Sequence, residues 1–370
     1  MKLSSGKKLA ALAAAAVLTL SSSLALAQSK VLNVYNWSDY IGEKTLANFE
    51  KEFGIKVRYD NFDSNEILHA KLVAGKTGYD IVVPSSNWAK LQIEGGLLQP
   101  LDKSKIPNWK NLDGWWMDQA ATFDPGNKHI VPWSGGVTTL GINVDKLKAA
   151  LGGMPMPDNA WDLIFKPEYA LKAKACGVSM LDSSDEVFPA ALRYLGKPAY
   201  STNKADYDAA AKLLKTVRKG VTLFSSSGYI NDMANGSICL ALGWNGDMAI
   251  AANRAKESKN GVNIEVLIPK SGAVLFMDTM AIPADAANVE NAHKFINYML
   301  RPEVQAEMFN TIAYRGPVRA ADKLIAPERV ANKSVYMTPE DEKRMVPPEM
   351  VSNDIRRLRT RLFTSFKTGM

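Results

Sequence analysis

The sequence predicts an α/β protein in which strands and helices alternate along the chain. Short apolar strands are followed by amphipathic helices in the same order several times, which is typical of a doubly wound sheet flanked by helices. Residues 79–84 form a mostly apolar run, as expected for a strand that is buried on both faces of a parallel sheet. With 370 residues, the chain is long enough for two domains with a large core.

The first half of the chain predicts three strand–helix units. Leu32 and Val34 alternate with polar neighbours in a first strand that ends near Trp37. An amphipathic helix follows over 44–53, and Gly54 stands at the usual glycine position after a helix. Further strands are predicted over 55–59 and 79–84, and further helices over 65–73 and 88–94.

The second half repeats this order with different sequences. We expect strands over 129–133, 139–143, 238–242 and 273–283, and a helix over 292–300. The glycine-rich segment Ser134-Gly135-Gly136 is interpreted as a link between the first two of these strands. The arginine-rich segment 356–361 is interpreted as the solvated face of a helix.

The N-terminal segment has the features of a cleavable signal peptide over residues 1–27. A basic start with Lys2, Lys7 and Lys8 precedes an apolar run that is too short to span a membrane. Small residues up to Ala27 form a cleavage site, so the mature chain is expected to begin at Gln28. We therefore expect the protein to be exported to the periplasm.

Charge and motifs exclude several function classes. The formal net charge of +7 falls to +4 once the three signal-peptide lysines are removed, and no basic run is interleaved with aromatic residues. We therefore expect no nucleic-acid partner. Gly75-Lys76-Thr77 resembles the end of a phosphate-binding loop, but Ala70 stands where that loop needs glycine. No Gly-x-Ser-x-Gly elbow occurs either, so we expect a binding protein rather than an enzyme, with no cofactor.

The two cysteines are Cys176 and Cys239. In an exported protein an isolated pair is typically bridged, although two buried free thiols stay open as the alternative. The histidines His69, His129 and His293 are scattered, and no Cys-x-x-Cys occurs, so the sequence predicts no metal site.

Aromatic residues and carboxylates occur together at three strand ends or edges. The pairs are Trp37 with Asp39, Trp244 with Asp247, and Phe276 with Asp278. Ligands of α/β proteins bind at the carboxyl ends of strands, and a ring face beside a carboxylate suits an organic cation. The alternative is that the rings belong to the core and the acids cap helices.

The chain also resembles the periplasmic polyamine-binding proteins of ABC transporters, especially the putrescine-binding branch. The resemblance rests on the segments 35–41 (YNWSDYI), 62–66 (FDSNE), 78–85 (GYDIVVPS), 101–105 (LDKSK), 229–232 (YIND), 234–236 (ANG) and 282–286 (IPADA). It implies a type II periplasmic binding protein fold, with two lobes that are each a sheet flanked by helices and a ligand cleft between them. The implied lobes are discontinuous: 28–134 with 276–312, and 135–275 with 313–370.

The resemblance further implies a ligand site, a disulfide and partners. The implied site consists of an aromatic box (Trp37, Tyr40, Trp244, Phe276, Tyr314), amine-binding acids (Glu186, Asp247, Asp278, with Asp39 close by) and hydroxyl groups (Ser38, Ser85, Ser226). The implied disulfide joins Cys176 to Cys239. The implied partners are a small polyamine such as putrescine or spermidine and an inner-membrane ABC permease. We expect a monomer.

Three positions depart from the pattern of these relatives. The segment 134–137 replaces a bulkier, Trp-containing one, which could enlarge the cleft floor or loosen the hinge. Trp88 stands where relatives often carry phenylalanine. Arg315 follows Tyr314, and a guanidinium in the cleft would repel a polyamine but pair with the carboxylate of an ω-amino acid. The alternative is that Arg315 points to solvent.

Two other functions stay open from the sequence. Carboxylates beside tryptophans also occur in proteins that bind or cleave sugars, although neutral hydrogen-bonding groups would suit a sugar better. A binding protein with the same site could also present its ligand to a sensor.

Overall fold

The computed structural model describes residues 30–369, so the predicted signal peptide lies outside the described residues. The strands in this range are β1 (Val31–Trp37), β2 (Lys56–Phe62), β3 (Ile81–Val82), β4 (Ile130–Asn143), β5 (Val178–Met180), β6 (Leu223–Phe224), β7 (Leu240–Trp244), β8 (Ile264–Leu267) and β9 (Val274–Ala281).

Helices pack around these strands, and eight of the sixteen described α-helices follow a strand directly, in the alternation that the sequence predicted. They are α1 (Thr45–Phe53), α2 (Asn65–Ala74), α3 (Ser86–Glu94), α4 (Gly114–Ala121), α5 (Val144–Leu151), α6 (Asp162–Phe165), α7 (Pro167–Ala173), α8 (Ser184–Tyr194), α9 (Lys204–Val217), α10 (Tyr229–Ala234), α11 (Asn245–Ser258), α12 (Val289–Met299), α13 (Pro302–Ile312), α14 (Pro327–Val330), α15 (Pro339–Glu342) and α16 (Asn353–Thr368). Within residues 30–369, no helix is both long and apolar enough to cross a membrane.

All nine described strands belong to one sheet, in the order β2-β1-β3-β9-β4-β7-β5-β6, with β8 beside β4. On one side β1 runs parallel to both β2 and β3, and on the other β5 runs parallel to both β6 and β7. Between these two parallel sets lie β4 and β9, which pair antiparallel with each other. The two sets are therefore joined through two antiparallel strands.

The glycine-rich segment lies inside a strand, so the prediction of two strands with a link between them is wrong. β4 runs without a break from Ile130 to Asn143, with a register shift between Pro132 and Ser134. A Cβ on Gly135 would lie 2.8 Å from both the Phe276 carbonyl oxygen and the Trp116 ring. Glycine is present here because the neighbouring chain approaches closely, and not because the chain turns.

The predicted boundaries of the other elements need small corrections. β2 continues to Phe62, three residues beyond the expected end, because its last residues keep pairing with β1. α1 ends at Phe53, and Gly54 follows it as predicted, with a φ of 63°. The predicted solvated face at 356–361 lies on α16, but Arg359 is buried, so that interpretation is wrong for this residue.

Strand β3 shows why its sequence is continuously apolar. Ile81 and Val82 point to opposite faces of the sheet, and each enters a different cluster of buried side chains. The larger cluster extends over both parallel sets, and the smaller one includes Phe62 and Leu68 on the side of β1–β3. Both faces of the strand are buried, as the apolar run predicted.

Cys176 and Cys239 form a disulfide, as predicted. Cys176 comes just before β5, and Cys239 comes just before β7, its neighbour in the sheet. The bridge therefore joins the starts of the strand that leads to Glu186 and the strand that carries Trp244.

Replacing both cysteines, Cys176→Ser with Cys239→Ser, should lower the free energy of unfolding. The bridge joins residues with a sequence separation of 63. Without it, the unfolded chain gains conformational entropy, which lowers the stability of the folded state by about 4 kcal/mol. Urea unfolding of the variant and of reduced wild-type protein should give matching, lower midpoints. Midpoints equal to that of the oxidised protein would contradict this expectation.

Candidate functional site

A cavity with an empty volume of about 450 Å³ lies between the two parallel strand sets, at the carboxyl ends of several strands. Its described lining consists of Trp37, Ser38, Tyr40, Phe62, Asp63, Ser85, Glu186, Ser226, Trp244, Asp247, Phe276, Asp278 and Tyr314. Trp37 and Phe62 end β1 and β2, while Trp244 ends β7 on the other side. The position follows the rule that ligands bind beyond the carboxyl ends of parallel strands.

The structure brings together every predicted site residue except Asp39. Asp39 adopts a φ of 52° in the turn after β1, and its Oδ1 lies 2.5 Å from the Arg254 guanidinium on α11. Asp39 therefore forms an ion pair beside the cavity instead of lining it. Phe62 and Asp63 were missed, although they repeat the pattern of an aromatic residue next to a carboxylate at a strand end. Because β2 was predicted to end at residue 59, these two residues were not placed at a strand end.

The aromatic side chains form a continuous belt around the cavity. The ring centroids of Trp37 and Trp244 lie 5.9 Å apart at 69°, and those of Trp244 and Phe276 lie 6.3 Å apart. Tyr314 continues the belt from Phe276 to Tyr40 through edge contacts at 5.9 and 5.2 Å. These walls suit an apolar segment whose ends are polar or cationic.

Asp278 on β9 is one buried carboxylate of the cavity. Its Oδ1 accepts a hydrogen bond from the Ser85 hydroxyl at 2.7 Å, and its Oδ2 accepts one from the Tyr40 hydroxyl at 2.9 Å. Burial, with a smaller contribution from the nearby carboxylates Glu186 and Asp247, raises the pKa of Asp278 to about 7. The two hydroxyls act in the opposite direction, because they stabilise the ionised form.

Asp247, in the first turn of α11, is a second buried carboxylate. The hydroxyls of Tyr314 and Tyr229 donate to its two oxygens at 2.6 and 2.7 Å. Burial raises the pKa of Asp247 to about 6, although both hydrogen bonds lower it. Tyr229 is fully buried behind the carboxylate and was not predicted as a site residue, although its segment carried the family resemblance.

Glu186, in the first turn of α8, is a third acid of the cavity. Burial raises the pKa of Glu186, while hydrogen bonds from Thr138 and Trp244 lower it. Asp63 adds a fourth carboxylate, and no lysine or arginine is among the described residues of the lining. Buried carboxylates are costly without a counter-charge, so the arrangement favours a cationic ligand.

Arg315 lies outside this cavity. Its guanidinium is 3.0 Å from the Glu342 carboxylate and 5.4 Å from the centre of the Tyr336 ring. It lines a second cavity of about 1220 Å³ empty volume, which Gly135 and Gly136 also line. The glycine segment therefore opens space in the second cavity, and Phe276 lines both cavities.

The described residues contain no group of three or more His, Cys, Asp or Glu side chains that could hold a metal ion.

Comparison with known proteins identifies the family of the chain. Residues 44–334 match the model of the bacterial extracellular solute-binding proteins. The chain belongs to that family. Putrescine-binding periplasmic protein PotF of Escherichia coli is 48% identical over 98% of both chains. Putrescine-binding periplasmic protein SpuD of Pseudomonas aeruginosa is 46% identical over 95% of this chain and 97% of its own.

A solved structure from Listeria monocytogenes, described as a spermidine/putrescine ABC transporter, superposes with a TM-score of 0.81. It is 33% identical and covers 92% of this chain and 100% of its own. The predicted resemblance to polyamine-binding proteins and the predicted fold class are thereby confirmed.

Asp278→Asn should stabilise the ligand-free protein at pH 8 and have little effect near pH 4. The pKa of Asp278 is about 7 in the folded protein and has the ordinary value of 3.8 when the chain is unfolded. Between pH 3.8 and pH 7 the folded state therefore binds the Asp278 proton more strongly than the unfolded state does. The free energy of unfolding therefore falls as the pH rises through this window, by up to about 4 kcal/mol for this group.

Urea unfolding of wild type and variant at both pH values measures this difference. Asp158→Asn is the matched control, because the Asp158 side chain is 97% exposed and its replacement should change stability little at either pH. A variant that is less stable than wild type at pH 8 would contradict the expectation.

Proposed function

We propose that this chain is the solute-binding subunit of an ABC importer for putrescine or a similar small aliphatic polyamine. One observation carries the proposal: four carboxylates line an aromatic cavity whose described lining contains no positive charge. A diamine supplies the missing charge at two points and an apolar spacer between them. The names of PotF and SpuD point to the same ligand class.

Each group has a distinct role in this proposal. Asp278 binds one terminal ammonium through a charge-assisted hydrogen bond, and Glu186 and Asp247 surround the other. Trp37, Trp244 and Phe276 flank the methylene chain. Each cation–π contact with the ammonium groups contributes roughly 0.5–2 kcal/mol.

Binding is proposed to close two lobes over the ligand. The lobes comprise 28–134 with 276–312, and 135–275 with 313–370, and they are joined by β4 and β9. Support comes from the cavity walls, which belong to both parallel strand sets, and from the ion pair between Asp39 and Arg254, which joins the turn after β1 to α11. Hinged closure around a ligand is a common motion of periplasmic binding proteins.

The protein is proposed to work in the periplasm as a monomer, delivering its ligand to an inner-membrane permease without catalysing a reaction. Support comes from the signal-peptide features of residues 1–27 and from the periplasmic location in the names of PotF and SpuD. Delivery to a sensor would use the same site, and identification of the partner would separate the two roles.

Other ligands fit the site less well. Agmatine, cadaverine and spermidine share the required charges and differ from putrescine in length or end group. γ-Aminobutyrate would need a cation for its carboxylate, and the Arg315 guanidinium instead pairs with Glu342 outside the cavity. A neutral sugar would leave the carboxylates without counter-charge.

Putrescine should bind the wild-type protein, and Asp278→Asn should weaken this binding by about 30-fold or more. The substitution keeps the shape and removes one charge from a desolvated contact, which typically costs about 2–5 kcal/mol. Calorimetry with putrescine, cadaverine, agmatine, spermidine and γ-aminobutyrate measures both affinity and selectivity. Asp158→Asn again serves as the control. Tight binding of γ-aminobutyrate without putrescine binding would overturn the proposal.

Arg315→Ala should change the Kd for putrescine by less than about threefold, because the guanidinium is paired in the second cavity and its charge is partly screened by solvent. The same variant should leave the response to γ-aminobutyrate unchanged. A large gain in diamine affinity would mean that Arg315 enters the ligand cavity in solution.

A further inference from the structure

A polar cluster next to the ligand cavity takes no part in lining it. The cluster consists of Trp88 on α3, Asp185 in the first turn of α8 and Arg359 on α16. The Trp88 indole N–H donates to Asp185 Oδ2 at 2.5 Å, and the Arg359 guanidinium forms an ion pair with Oδ1 of the same carboxylate. The three side chains are therefore connected through one carboxylate.

The hydrogen bond from Trp88 to Asp185 joins helices that belong to the two parallel strand sets of the sheet. α3 follows β3, which belongs to the set β1–β3, and α8 follows β5, which belongs to the set β5–β7. β4 and β9 lie between these sets in the sheet. If the two sides move apart to admit a ligand, Trp88 and Asp185 must separate, and both groups then bond to water.

Arg359 holds its side of this contact in place. Its side chain is only 3% exposed, and α16 packs against α8. A buried guanidinium is costly without its partner, so Asp185 is expected to stay paired with Arg359 whether or not Trp88 is present. The carboxylate is thus oriented before the two sides meet.

The Trp88 ring contacts one residue from the side of each strand set: His69 on α2, and Arg356 on α16, which packs against α8. The His69 ring centroid lies 5.4 Å from that of Trp88, and the Arg356 guanidinium lies 5.3 Å from the centre of the Trp88 ring. A phenylalanine at this position would keep a ring in this environment but has no N–H to donate. The indole donor is therefore the feature that tryptophan adds.

The position of Asp185 connects this contact to the ligand. Asp185 directly precedes Glu186, a cavity acid in the same first turn of α8. The Trp88 bond therefore attaches the helix end that carries Glu186 to the opposite side of the cavity. Neither Trp88 nor Asp185 lines the ligand cavity.

We propose that Trp88 stabilises the ligand-enclosing state by its hydrogen bond to Asp185 and so slows release of every ligand equally. Trp88 is a positioning residue that acts through closure and does not touch the ligand. This inference rests on the proposed function, because it requires a ligand that the two sides enclose.

The test compares wild type, Trp88→Phe and Trp109→Phe as full mature proteins, with putrescine and cadaverine as ligands. Trp109 is the matched control, because its ring packs under Lys103 at 4.6 Å and lines none of the cavities described above. Trp88→Phe should weaken binding of both diamines by about the same factor, roughly 10-fold, as expected for one hydrogen bond to a charged group. Stopped-flow kinetics should place the loss in a faster dissociation rate.

Three readouts separate this role from a structural one. Ligand-free Trp88→Phe should keep the cooperative unfolding transition of wild type, and Trp109→Phe should bind like wild type. A Kd within twofold of wild type in Trp88→Phe, or a changed ratio of putrescine to cadaverine affinity, would overturn the inference. Absence of diamine binding by the wild-type protein would instead contradict the proposed function.

Discussion

The organisation of this protein depends on the burial of carboxylates that have no counter-charge in the described lining of their cavity. Asp278 and Asp247 are almost inaccessible to solvent, and each is bonded to two hydroxyl groups. Hydroxyls stabilise a carboxylate only partly, so the pKa of both acids remains raised. The folded protein thus keeps an electrostatic cost that a bound cation can relieve.

The sheet explains how such a site is built. Its two parallel sets direct their carboxyl ends towards one cavity, and β9 supplies Phe276 and Asp278 from the middle of the sheet. Rigid strands hold the aromatic walls, while the acids Glu186 and Asp247 stand in the first turns of helices, where the helix dipole favours negative charge. Affinity is thereby distributed over both sides of the cavity.

Contacts outside the cavity connect the same two sides. The pair of Asp39 with Arg254 is partly exposed on both partners, so solvent screens it. The bond from Trp88 to Asp185 lies against a buried arginine and is better protected. Under the proposed closure, the strength of ligand binding depends on residues that the ligand never touches, because closing the cavity would form their contacts together with those of the ligand.

Much of the fold and most of the site could be predicted from the sequence, for local reasons. Alternating or continuous apolar residues indicate strands, and an aromatic residue beside an acid at a strand end indicates a site, so Trp37, Trp244 and Asp278 were found. The continuous strand through Gly135 was missed because glycine usually interrupts strands, and only the close approach of Trp116 and β9 explains its presence.

The strand–helix order, the family and the residue types of the candidate site follow from the sequence, because they depend on local patterns and on segments that match relatives. Tertiary structure decided which charges meet. Asp39 pairs with Arg254, Arg315 with Glu342, and Arg359 is buried against Asp185. These partners lie 27 to 215 residues apart along the chain, and no local pattern encodes which distant side chain will neutralise a given charge.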